Sequence, residues 1–479
     1  MEGLIHNILY RRLNHLFPLF VVLLVFSSCA EATNDVADLS GTWRFQIDSL
    51  DQGETQRWFA ETLPEEIQLP GSIAENGKGD DISLKTKWTG NLWNDSLWYT
   101  SPKYAKYRQP GNIKVSFWLQ PEKKYYGAAW YQRTIEIPKD WQDKVLEFSV
   151  ERAHWESTVW IDDQKLGSQN TLGTAHKYLL PQNMEPGKHT LTVRMDNRVK
   201  DIDVGLDAHS ITDNTQSNWN GLVGSLKLTA RPRIYLESTR IFPEVSAKKI
   251  DVKLMVQNTK NENVEAELSL EAIGLSENNS KVNELTKKVS LKPGLNEILL
   301  DYDMGENPAL WDEFAPNLYE LAVTLTGDGF KEENRETFGM RDFKADKTRF
   351  TINGRPVFLR GTLECSIFPL TGYPPTDVES WSSIFEVIKS HGLNHMRFHS
   401  WCPPEAAFLA ADKAGVYLQV EASGWATIGD GAPVDKWFYK EGEAILRDYG
   451  NHPSFVMMAY GNEPSGKNHK QYLTEYIAH

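Results

Sequence analysis

The feature that most constrains the fold is a change of rhythm at about residue 343. Beyond it, strand-like runs at 357–360, 393–399, 416–420 and 455–459 alternate with helical stretches at 377–390, 404–413, 434–449 and from about 468. Strict alternation of this kind demands a parallel sheet covered by helices. Residues able to do chemistry stand at the ends of these strands, which suits a (β/α)8 barrel. Four such units make the first half of one.

Upstream the period is two. Residues 130–138, 145–150, 157–161 and 190–195 alternate apolar and polar side chains, with turns such as Asp162-Asp163 and Pro186-Gly187 between them. Short alternating strands with little helical pattern predict a β-sandwich over residues 35–232. Residues 78–126 form an insertion rich in rings, among them Trp88, Trp93, Trp98, Tyr99, Tyr104, Tyr107, Phe117, Trp118, Tyr125 and Tyr126. Such loops either build a platform for sugar rings or pack over the sandwich. A second all-β block spans 233–340, with alternation at 252–258, 265–270 and 319–325. Its length and seven or so strands predict an immunoglobulin-like sandwich. Asn278 and Asn279 fall in one of its polar loops.

The 479 residues carry a net charge of −14 and no long basic run. That excludes nucleic acid as a partner but selects no substrate. Arg11 and Arg12 precede an apolar run at 16–26 that ends in Phe26-Ser27-Ser28-Cys29. A basic start and a short apolar stretch make residues 1–28 an export signal rather than a membrane span. Small residues before a cysteine resemble the bacterial lipoprotein cleavage box. On that resemblance Cys29 is lipidated, and the protein is a periplasmic or outer-membrane lipoprotein held to the membrane only by that lipid. The alternative is a plain signal peptide. Cys365 and Cys402 make no disulfide framework.

Several segments together resemble glycoside hydrolase family 2, which includes β-galactosidases, β-glucuronidases and β-mannosidases. Residues 127–138 resemble the family's sugar-binding-domain entry strand, and Trp311-Asp312-Glu313-Phe314-Ala315-Pro316-Asn317-Leu318-Tyr319 the end of its second domain. Phe338-Gly339-Met340-Arg341 and residues 353–361 resemble its barrel entry. Asn451-His452-Pro453-Ser454, followed by a strand and Gly461-Asn462-Glu463, is the most diagnostic run. The resemblance implies a jelly-roll sandwich, an immunoglobulin-like sandwich and a TIM barrel occupying 343–479. It also implies a retaining exo-β-glycosidase, β-galactosidase-like by default, that acts on carbohydrate without a cofactor.

Retaining hydrolysis needs two carboxyl groups about 5–5.5 Å apart. Glu463, after strand four, is placed as the acid/base residue, and the resemblance puts Asn462 on the sugar 2-OH. Arg397 ends strand two, where the family carries an arginine that supports the nucleophile. His399 and Trp401 follow it as substrate contacts, with the histidine displaced by one position from the galactosidase pattern. Glu364 ends strand one where those enzymes carry R-G-x-N-x-H; it is either a substrate contact or a salt-bridge partner. Glu421 ends strand three and matches the family's carboxylate there. Trp425 is either a subsite platform or lid packing.

A metal is not expected. Ala422-Ser423-Gly424-Trp425 lacks the Glu-x-His of magnesium-binding relatives, and His391, His395, His399 and Cys402 match no zinc spacing. The family nucleophile lies at the end of strand seven, whereas this sequence stops at His479. A half barrel leaves open strand edges and exposed apolar helix faces. This chain is therefore expected neither to hydrolyse glycosides nor to fold well in its C-terminal third. The alternative is a non-catalytic carbohydrate-binding lipoprotein.

Overall fold

In the computed structural model, residues 35–90, 100–114, 121–182, 184–215, 218–275 and 281–479 are described. The export signal, Cys29, the central rings of the insertion (Trp93, Trp98, Tyr99, Phe117 and Trp118), Asn278 and Asn279 lie outside them. Residues from Asn34 to His479 form one compact unit.

Its first part holds two antiparallel sheets. One orders strands Asp35–Asp38, Gly221–Arg231, Val145–His154 and His176–Leu179, with Gly71–Ser72 on its rim. The other has six strands, with Ala128–Ile137 between Gly187–Asp196 and Gly41–Asp48. Their inner faces enclose Trp43, Phe45, Tyr131, Phe148, Leu191 and Leu228. Alternation in Ala128–Ile137 holds only after Gln132, since the earlier residues are buried on both faces. Trp130 explains this: it stacks on Trp160 outside the sandwich, where Phe59 and Leu63 close over it. Much of the aromatic richness is therefore a second core.

The next part has seven strands in a three-stranded and a four-stranded antiparallel sheet. Lys249–Asn258 alternates without a break, burying Ile250, Val252, Leu254 and Val256 against the facing sheet.

The third part departs from expectation at its start. Arg355–Val357 pairs antiparallel with Arg349–Ile352 across the Asn353-Gly354 turn, so 357–360 is not the first parallel strand. The apolar run at 357–360 crosses between sheets instead, with Asn394 bonding Phe358 O and Arg360 N. The parallel strand β1 is Gly361–Glu364, followed by β2 (His395–Phe398), β3 (Tyr417–Gly424) and β4 (Phe455–Gly461). They pair in that order. β3 runs four residues beyond the expected 416–420, so Glu421 lies within it. Among the described residues nothing pairs with the outer edges of β1 or β4.

Helices α1 (Val378–Ser390), α2 (Glu405–Ala414), α3 (Pro433–Tyr449) and α4 (His469–Ala478) follow the strands. Asp377 caps α1 by accepting the Ser380 N–H at 2.7 Å, and Trp381, Phe385 and Ile388 form its buried stripe. Ala406, Ala407, Ala410 and Ala411 let α2 sit close to its neighbours. Trp155, Leu172, Val204, Ala208 and Ile211 from the first part enter this same core.

Candidate active site at the strand ends

Each parallel strand ends in, or within two residues of, a residue held at positive φ although it is not glycine. These are Ser366 (55°), Ser400 (54°), Ser423 (63°) and Glu463 (39°). A side chain in this region costs about 1 kcal/mol, and such residues gather at functional rims. Pro464 disfavours the right-handed helical conformation for Glu463 but favours extended backbone, so the positive φ there is not set by the proline. The turn leaves the Glu463 side chain exposed. Asn462 is tied down instead, its N–H donating to Gly424 O at 2.8 Å.

Behind Glu463 lies an ordered polar chain. Arg397 donates from Nε to Glu421 Oε1 at 2.6 Å and from Nη2 to Asn462 Oδ1 at 3.1 Å. Ser400 N–H donates to Glu421 Oε2 at 2.6 Å. Glu421 is 0% exposed with both oxygens engaged, so it cannot touch a substrate. Its expected place as a substrate contact is corrected to that of a buried anchor for Arg397.

Trp401 is also corrected. It is 3% exposed and packs among Phe368, Trp381 and Phe398, with its Nε1–H on Glu364 O. An apolar ring three residues beyond the strand end falls into the helix–sheet core rather than the mouth. His399 is nearly as enclosed, at 8%, with its Nδ1 3.4 Å from Ser400 Oγ. Burial and the Arg397 charge lower its pKa.

The salt-bridge reading of Glu364 fails as well. Its carboxylate accepts the N–H groups of Ser366 at 2.8 Å and Ile367 at 3.3 Å, and among the described residues no cation pairs with it. Burial pushes it up to about 7 despite those hydrogen bonds. Trp425 is half-buried, with its ring 5.0 Å from that of His399, and its N–H donates to Val204 O. It is thus packing on one side and open on the other. In the insertion, Tyr125 is in the sandwich core and Tyr126 accepts the Val199 N–H, so these two rings serve packing. His395 faces away from the mouth, bonded to Tyr417 O.

One residue of the site was not anticipated. His209, from the first part, places Nδ1 2.8 Å from His399 Nδ1. Its ring also lies 5.9 Å from that of Trp425. Burial, with His399 beside it, pushes it down to about 4. The available signal was the connection 197–220, which holds no helix or strand in its described residues; long structureless loops inside compact units tend to be functional.

Residues 234–341 match the family model for glycosyl hydrolases family 2. The chain is 21% identical over 467 residues to a β-galactosidase of Priestia megaterium, covering 92% of this chain and 42% of that one. It is 25% identical over 454 residues to a β-galactosidase of Leuconostoc mesenteroides, covering 90% and 40%. The fold is shared with the crystal structure of a Bacteroides uniformis β-glucuronidase, with TM-score 0.70, 18% identity, and 93% and 49% coverage. The chain thus spans about two fifths of the length of those two galactosidases.

Proposed function

Because the chain belongs to glycoside hydrolase family 2, we propose that it carries the acid/base half of a retaining exo-β-glycosidase centre, β-galactosidase-like. We read its parts as a jelly-roll sandwich at 35–232, an immunoglobulin-like sandwich at 233–340 and the first half of a TIM barrel at 343–479. The observation that carries the reading is Glu463, turned outward beside Asn462, which is anchored through Arg397 to buried Glu421. In such a centre protonated Glu463 gives its proton to the glycosidic oxygen as the C–O bond breaks. A second carboxylate forms the glycosyl–enzyme bond, and ionised Glu463 then takes a proton from the water that hydrolyses it.

Glu421 and Glu364, at the neighbouring strand ends, do not fit the nucleophile, since the oxygens of both accept hydrogen bonds from the protein. The 479-residue chain alone is therefore expected to bind galactose without hydrolysing an aryl β-galactoside. Turnover by it would overturn the half-centre reading. In a form of the protein that does turn over, Glu463→Ala should abolish hydrolysis of alkyl galactosides. It should spare dinitrophenyl galactosides in part, since their leaving group needs no proton. Equal loss on both would remove Glu463 from the acid role.

The same engaged oxygens favour a second reading, a sugar-binding lipoprotein with no catalytic partner. Export with lipid on Cys29 belongs to both. Cys29→Ser should then abolish incorporation of labelled palmitate in a bacterial host, and unchanged labelling would refute the anchor.

A further inference from the structure

We propose that Tyr460 is a positioning residue for Glu463: its hydroxyl takes over the backbone partners of Ala426, and that exchange holds the turn that aims Glu463 outward. The catalytic part of this inference rests on the acid/base reading of Glu463; the backbone part does not. β3 and β4 pair as far as Gly424 opposite Gly461. Their extensions pair again at Thr427 opposite Ser465. Two residues separate these points on the β3 side and three on the β4 side, so the ladder carries a one-residue bulge at 462–464. Bulges re-aim a side chain where pairing ends.

The register before the bulge dictates what Ala426 would meet. Asn462 donates its N–H to Gly424 O at 2.8 Å. Two residues further along, Ala426 N–H would donate to Asn462 O, and Ala426 O would accept from residue 464. Residue 464 is proline and has no N–H to give. The Tyr460 hydroxyl stands in for both partners, accepting Ala426 N–H at 2.9 Å and donating to Ala426 O at 3.1 Å. The next contacts fall to Ser465, which donates its N–H to Ala426 O at 3.3 Å and accepts Ile428 N–H at 2.9 Å. Glu463 is passed over and takes up the extra length with its φ of 39°.

The surroundings of Tyr460 are built for this reach. A Cβ at Gly424 would stand 2.7 Å from Tyr460 Cζ, so the ring crosses against bare backbone. Phe438 of α3 packs edge-on to it at 4.6 Å. Burial pushes the Tyr460 pKa up to about 12, so the hydroxyl keeps the hydrogen that it donates. Without that hydroxyl, buried Ala426 has an unpartnered N–H, which is costly. The regular register restores a partner by drawing Asn462 O to Ala426, and it pulls Glu463 back into line with the strand.

The test reads the backbone of Glu463 in the full 479-residue chain from its intraresidue N–H to Hα cross-peak, with protonated, 15N-labelled glutamate. A positive φ brings the two hydrogens close and makes the peak strong, whereas extended backbone makes it weak. The wild type should give a strong peak at Glu463. Tyr460→Phe keeps the ring and loses only the hydroxyl. It should weaken the peak and speed amide exchange at Ala426 about tenfold, as for one lost hydrogen bond. Pro464→Ala returns an N–H but leaves the tyrosine, so the peak should stay strong. A strong peak in a folded Tyr460→Phe chain overturns the proposal. So does loss of the peak in Pro464→Ala, which would make the missing N–H the cause. In a form of the protein that turns over, Tyr460→Phe should lower kcat on alkyl galactosides about a hundredfold and leave dinitrophenyl galactosides and both KM values nearly unchanged. Equal slowing of both substrates would overturn the positioning role. Equal loss on both in Glu463→Ala counts against the glycosidase reading alone, and the cross-peaks then decide the backbone part.

Discussion

Two buried charges of this protein rely on a partner that sequence proximity does not supply. Glu421 sits without solvent and relies on Arg397 and the Ser400 N–H. Removing one member of such a pair strands the other, so Arg397→Ala should lower stability by about 3 kcal/mol in denaturant melts. Arg397→Lys should recover only part, because one ammonium cannot serve Glu421 and Asn462 in the geometry of the fork. A neutral result for Arg397→Ala would mean that water reaches Glu421. His452 is a second case. Burial alone would depress it, but the Asp412 carboxylate 2.6 Å away outweighs burial and raises its pKa. A raised folded pKa stabilises fully below the unfolded value of about 6.5, and the gain is lost as pH rises through the folded value. Asp412→Asn should thus cost more stability at pH 6 than at pH 9, and equal losses at both would refute the linkage.

At the scale of elements, the strands were legible because alternation and burial have the same cause, as in Lys249–Asn258. The helices were legible because Trp381, Phe385 and Ile388 recur at the helical period. The first parallel strand was not, because 357–360 is as apolar as a strand but spends its polar backbone groups on Asn394. Nor was the 197–220 connection, whose form depends on a surface made by β3. Gly205 shows how tight that contact is. Its φ is +97°, and a Cβ there would stand 2.2 Å from Trp425 O. Gly205→Ala should destabilise by about 2 kcal/mol or more, through both strain and clash. It should also unfasten His209, seen as faster amide exchange at His209 and Trp425 with the second sandwich unchanged. At the start of α1, Asp377→Ala should cost about 1 kcal/mol, since the cap serves only the first turn.

Over the whole molecule, the run that marks the family turns out to be a fastening. Asn451 accepts the Ile241 N–H at 2.9 Å and donates to Thr239 O at 2.8 Å, clipping the second sandwich to the turn before β4. Trp311 is fully buried, donates to Asp412 O, and packs on Tyr417 of β3. Arg341 holds Pro453 O and Phe455 O. Asn451→Ala together with Trp311→Ala should therefore split one cooperative melt into two, the later one belonging to the second sandwich. A single shifted transition would show that other contacts couple the parts. On the other flank Arg152 donates to Cys402 O at 2.5 Å, and Glu441 of α3 accepts the Gly173 N–H at 2.7 Å. The amino-acid sequence by itself determined the kinds of element, their order and the place of Asn462 and Glu463 after the fourth parallel strand, because these follow from periodicity. Only the tertiary structure decided which side chains at the strand ends face a ligand. It buried Glu421 and Trp401, left Glu364 without a cation and brought His209 to His399 across 190 residues. Such outcomes rest on packing between distant segments, which no local pattern encodes.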